Sequence, residues 1–197
     1  PQSVAAATDM IGGPAFWRNL GLRLERRRIL REFSPNFAFG CAKNADIAVI
    51  LHLFYFDLWQ EIQAYLANIP KKFDLYLSIP PDFSPVVLCD LLARYPRAAI
   101  RIVENRGRDI APFLLWLPEI CDSGYTAICK LHSKKSPHLA DGRGWRPESG
   151  ETWRNQLYEE LLGSPRQVER ILAAFARDDR LGMAGPTANW LFQITYG

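Results

Sequence analysis

Four short apolar runs, each parted from the next by a stretch of helical periodicity, constrain the fold of this chain more than any other feature. Residues 47–54, 73–79, 99–103 and 125–131 are bounded by turn residues and predict strands. The first run is broken only by His52, as expected of a strand covered on both faces, and His52 reads as a hydrogen-bonded core histidine. Between the first two runs, Leu58, Ile62, Tyr65, Leu66 and Ile69 make one helical stripe, with Asp57 placed to cap it. Ser84-Pro85 opens a second helix through Val87, Leu88, Leu91 and Leu92. A third is expected over 109–121, with Asp109 at its N-cap and Pro112 in its first turn. Each pair of runs is thus joined by a helix-length crossover, which predicts parallel strands in one sheet with helices on both faces. The fold class is α/β with a Rossmann-like, mostly parallel sheet. Beyond it come helices over 151–162 and 166–177, separated by Gly163-Ser164-Pro165, and a short strand over 181–184. The glycine-rich stretch 136–150 is long enough without structure to serve as a lid or substrate loop.

Composition narrows the partners. A chain of 197 residues with 48% hydrophobic and 23% charged residues suits one globular domain with a substantial core. A net charge of +3 is too small to argue for nucleic acid, and no nucleic-acid motif is present. Cys41, Cys89, Cys121 and Cys129 lack metal-ligand spacing and read as reduced packing residues of a cytoplasmic protein. No run approaches the roughly 18 apolar residues of a transmembrane helix, and no signal peptide is visible. Residues 18–33 interleave Arg with Leu and Ile. They read as a solvated surface helix or as a basic amphipathic one in peripheral contact with the inner membrane face. The expected organisation is a basic helix and linker over 1–44, then an α/β domain over 45–197. A start at Pro1 and a stop after an apolar segment suggest a piece of a longer protein.

In open parallel sheets ligands bind at the carboxyl ends of the strands. Asp57 follows the first strand, Asn105, Arg106, Gly107, Arg108 and Asp109 the third, and Lys130, His132, Ser133, Lys134 and Lys135 close the fourth. Glycine-bearing turns gather backbone N–H groups, and arginine forks match phosphate oxygens. Arg106, Arg108, Lys134 and Lys135 are therefore expected to converge on a diphosphate.

Those residues also carry a resemblance. Val103-Glu-Asn-Arg-Gly-Arg-Asp-Ile-Ala-Pro-Phe113, then Cys129-Lys-Leu-His-Ser-Lys-Lys-Ser-Pro-His138, then Trp153-Arg and Leu161-Leu-Gly163 resemble the rhamnan synthesis F family of bacterial cell-wall rhamnan and lipopolysaccharide O-chain assembly. The resemblance spans about 45–186 and implies a glycosyltransferase, most simply a rhamnosyltransferase. Its donor would be a nucleotide sugar, dTDP-L-rhamnose, its acceptor a lipid-linked glycan, with no further cofactor. The order of elements also resembles the donor half of GT-A glycosyltransferases, in which an Asp-x-Asp after the fourth strand holds a divalent metal. Here that place is His132-Ser133-Lys134, a poor site for Mg²⁺ or Mn²⁺, so no metal is expected. Lys134 and Lys135 would neutralise the leaving diphosphate instead. An inverting transfer needs a base. Glu151 and Asp109 are the candidates, with Asp141 beside them, although Glu151 also suits a first helical turn. Trp145 and Trp153 are aromatic faces on which a sugar could stack. The alternative is a non-catalytic module that binds a nucleotide sugar or glycan phosphate within a larger assembly protein.

Overall fold

The structure, a computed structural model, describes residues 43–135 and 149–187. The helix expected over 18–33, most of the loop expected over 136–150, and Cys41, His138, Asp141 and Trp145 lie outside the described residues.

The four runs form strands β1 (Ile47–His52), β2 (Phe73–Ile79), β3 (Ala99–Ile102) and β4 (Ala127–His132). All neighbours pair in parallel, in the order β3-β2-β1-β4. The expected α/β class and parallel sheet are therefore observed. Strand order reverses between β1 and β4, where His52 lies opposite His132. In such sheets this reversal marks the crevice that takes ligands.

The chain divides into two compact units. The first runs up to Phe56 and resumes over Phe73–Ser133, so it holds the whole sheet. One face of that sheet packs Ala48, Ile50, Tyr76 and Ala99 against Trp116 and Ile120, with Phe113 and Tyr125 at the margin. Several polar groups inside this layer find partners. The Trp116 indole donates to Ser78 Oγ at 2.9 Å, and the Arg101 guanidinium lies 4.2 Å from the centre of the Trp116 ring. Asp74, 4% exposed, accepts from the backbone N–H groups of Asn44 and Ala45 and from the Tyr125 hydroxyl. Of the helices, α2 (Pro85–Arg94) starts as the sequence predicts, with Ser84 Oγ accepting from the Val87 N–H.

The helix expected over 109–121 is two short ones, α3 (Ile110–Leu114) and α4 (Leu117–Cys121). Pro118 has no N–H to offer the Leu114 carbonyl, so the ladder breaks there. The Leu115 carbonyl at the break accepts from Arg101 instead. Asp109 occupies the cap position of α3 but makes no capping hydrogen bond, because its carboxylate is turned to Lys130.

The second unit takes Asp57–Lys72 and the chain from Lys134 onward. It holds α1 (Trp59–Leu66), α5 (Gly150–Leu162) and α6 (Pro165–Arg177). Asp57 does not cap α1: it lies within a 3₁₀ turn, Phe56–Leu58, and pairs with Lys135. Arg154, 6% exposed, grips both carboxylate oxygens of Glu61 at 2.8 and 2.9 Å. Helix α6 begins as predicted, with Ser164 Oγ accepting from the Gln167 N–H. Residues 181–184 form no strand; Gly182, Met183 and Ala184 are exposed and lack a partner ladder. Among the described residues no helix is long and apolar enough to cross a membrane.

Candidate functional site

The site is built from the two basic segments that follow β3 and close β4. Past β3, the Val103 N–H still bonds the Ile79 carbonyl at 2.8 Å, and the chain then turns sharply. Gly107 (φ +70°) and Arg108 (φ +53°) are consecutive left-handed residues. At Gly107 a Cβ would stand 2.5 Å from the Ala111 Cβ, so only glycine fits. Arg108 has no such excuse; an L residue held in this region costs about 1–2 kcal/mol. Strain of this kind persists where the surrounding structure imposes it, often at functional turns. The turn holds Asn105, Arg106 and Arg108 exposed to solvent. Arg106 pairs with Glu104 at 2.9 Å, a contact so exposed that it adds little to stability.

The turn delivers Asp109 to the carboxyl end of β4. Lys130 donates to its Oδ2, and the Nδ1 of His132 lies 3.7 Å from the same oxygen. Asp109, Lys130 and His132 keep 28%, 32% and 28% of their side chains exposed, so the cluster is reachable from solvent. Period-two alternation puts Lys130 and His132 on the face of Ile50 and His52, their register partners in β1. Partial burial pushes Asp109 upward, but the Lys130 hydrogen bond and the nearby His132 outweigh it, and its pKa falls below the usual value. His52 is 7% exposed, and burial holds its pKa below the ordinary histidine value despite a backbone bond to Ser78. Its Nδ1 has no hydrogen-bond partner, so it is a core histidine only partly satisfied.

Ser133 serves as a brace across the switch point. Its Oγ accepts from the N–H groups of Phe54 and Tyr55, each at 2.8 Å, and the residue is 5% exposed. Within the second unit, the Lys134 ammonium lies 3.7 Å from the centre of the Trp153 ring, and Lys135 pairs with Asp57. Glu151 is exposed in the first turn of α5, where a negative charge suits the helix dipole.

The structure thus brings together Asp109, Lys130 and His132, and adds His52, which the sequence reading had assigned to the core alone. The signal for His52 was its place as the single polar residue at the carboxyl end of an apolar strand. Among the described residues no three His, Cys, Asp or Glu side chains gather to hold a metal. Of the described cysteines, Cys89, Cys121 and Cys129 form no disulfide. Burial pushes the Cys129 thiol up to about 12, which suits packing, whereas Cys121 is exposed rather than packed.

A parallel sheet with a reversal between β1 and β4, and a charged cluster at its carboxyl edge, defines an α/β domain of the Rossmann-like class. Within that class, the chain belongs to the family described as Rhamnan synthesis protein F, which it matches over residues 26–196. Membership ties the chain to rhamnan and related polysaccharide synthesis. It is also similar to an uncharacterized protein, WxcX, of two Xanthomonas campestris pv. campestris strains, B100 and ATCC 33913. Both alignments are 33% identical over 148 residues, covering 74% of this chain and 19% of each relative. The chain therefore spans about a fifth of the length of these relatives. No solved structure matches it significantly.

Proposed function

We propose that this chain is the donor-binding part of a glycosyltransferase, a rhamnosyltransferase that takes dTDP-L-rhamnose and extends a lipid-linked glycan. The observation that carries the reading is the strained Gly107-Arg108 turn at the carboxyl edge of the sheet. It presents two exposed guanidinium groups and delivers Asp109 to Lys130 and His132. Arginine forks are suited to a diphosphate, and the family supplies the polysaccharide context. Nucleotide sugars are made in the cytoplasm and glycan lipids sit in the membrane, so the reaction belongs at the inner membrane face.

One observation favours the non-catalytic alternative: the Asp109 carboxylate is taken up by Lys130, which weakens it as a proton acceptor. Turnover separates the two readings. The full-length protein, given dTDP-L-rhamnose and membranes carrying lipid-linked glycan, is expected to release dTDP as rhamnose is transferred. Saturable donor binding without transfer would establish the module instead. Arg106→Ala and Arg108→Ala are each expected to weaken donor binding about ten- to a hundredfold, the roughly 1.5–3 kcal/mol of a charge-assisted phosphate contact. The segment closing β4 carries His132, Ser133, Lys134 and Lys135 and no carboxylate, a poor place for Mg²⁺ or Mn²⁺, so transfer is expected to continue in EDTA. Loss of activity with recovery on adding Mn²⁺ would overturn the metal-free route.

A further inference from the structure

We infer that His132 is the catalytic base of the transfer and that Asp109 is its positioning residue, an assignment that rests on the glycosyltransferase reading above. Three observations carry it. Asp109 Oδ2 faces the Nδ1 edge of the ring at 3.7 Å, an electrostatic contact rather than a hydrogen bond. A carboxylate on that side favours the tautomer with the proton on Nδ1, leaving Nε2 as the basic nitrogen. Such contacts tighten when substrate binds, so the open spacing does not disqualify the pair. Second, His132 ends β4 beside the strand-order reversal, where such sheets take their ligands, and its side chain is part-exposed and reachable from solvent. Third, the backbone just before Asp109 is held in a left-handed conformation at a non-glycine residue, which fixes where that carboxylate goes.

Asp109, from the turn before α3, lies against His132, with Lys130 two residues back on the same face of β4 and the buried His52 its register partner in β1. Lys130 already occupies Asp109, so the carboxylate is better suited to orient the ring than to take a proton itself. In the step, Nε2 of His132 takes the acceptor hydroxyl proton as that oxygen bonds the anomeric carbon. The bond from this carbon to the diphosphate oxygen breaks, and its electron pair leaves with the nucleoside diphosphate. The imidazolium then returns its proton to solvent.

The test is a pH–rate profile of the full-length protein with dTDP-L-rhamnose and glycan-bearing membranes, alongside donor binding by thermal shift. His132→Gln is expected to keep donor binding and to lose about 10²- to 10⁴-fold in transfer rate, with the acid limb of the profile gone. Asp109→Asn is expected to keep an acid limb but shift it to lower pH, because removing the negative charge makes the imidazole easier to deprotonate. His132→Gln that transfers at the wild-type rate, or retains the acid limb, would overturn the dyad and leave the glycosyltransferase reading standing. An Asp109→Asn profile unmoved along the pH axis would overturn the positioning role. Donor binding without transfer by the wild-type protein would overturn both readings together.

Discussion

At the scale of single residues, two polar side chains that the sheet buries, Ser133 and His52, have measurable consequences. Ser133 accepts two backbone N–H groups across the β1–β4 reversal. Ser133→Ala leaves both donors without that partner and is expected to cost about 1–3 kcal/mol, measurable by urea unfolding. His52 gives a pH signature. Burial lowers its pKa below 6.5 in the folded protein, so the unfolded chain binds the extra proton first as pH falls. Stability should therefore be fully present above pH 6.5 and decline as pH drops through the window beneath it. His52→Gln should flatten that part of the stability–pH curve. An unchanged slope would show that His52 titrates normally in the folded state.

At the scale of elements, the turn after β3 and the helices of the second unit follow opposite rules. The turn holds Arg108 at φ +53°, where glycine would sit without strain. Arg108→Gly is thus expected to leave thermal stability unchanged or raise it by up to about 1 kcal/mol, while weakening donor binding. A variant that loses both would mean that the arginine holds the turn together rather than the ligand. Gly107→Ala, by contrast, drives a Cβ into Ala111 and should destabilise the unit. In the second unit, Arg154 on α5 and Glu61 on α1 form a forked pair, with the arginine side chain 7% and the glutamate 28% exposed. Arg154→Met strands the glutamate. The expected loss is about 2–3 kcal/mol, below the 3–5 of a fully buried pair because Glu61 keeps some water. Chemical denaturation of the single variant, and of the double variant with Glu61→Gln, would separate the pair from its packing.

At the scale of the whole molecule, ligand linkage provides the broadest test. Anything that binds the folded protein and not the unfolded one raises apparent stability, by about 2.7 kcal/mol at a hundred times its Kd. A panel of nucleotide sugars screened by thermal shift on the full-length protein should single out dTDP-L-rhamnose over dTDP-free sugars. Equal shifts with every nucleotide sugar would mean that the diphosphate alone is recognised. No shift with any of them would remove the donor site from this chain.

The sequence by itself determined the four strands of the sheet, their parallel direction and the class of fold, though not the absence of a strand over 181–184. Four apolar runs with helix-length connections leave few other ways to bury both faces of a sheet. It also determined the starts of α2 and α6, since a Ser–Pro pair acts through its own neighbouring backbone. The fate of Asp57 and Asp109 was decided only by the tertiary structure. Both look like helix caps in one dimension, yet each found a lysine distant in sequence, and a charged partner outbids an N–H. The split between α3 and α4 depends on Pro118 together with an arginine from β3, whose reach no local pattern reveals. The pairing of Asp109 with His132 was hidden for the same reason. It requires that β4 lie beside β1, which is a property of strand order and not of spacing along the chain.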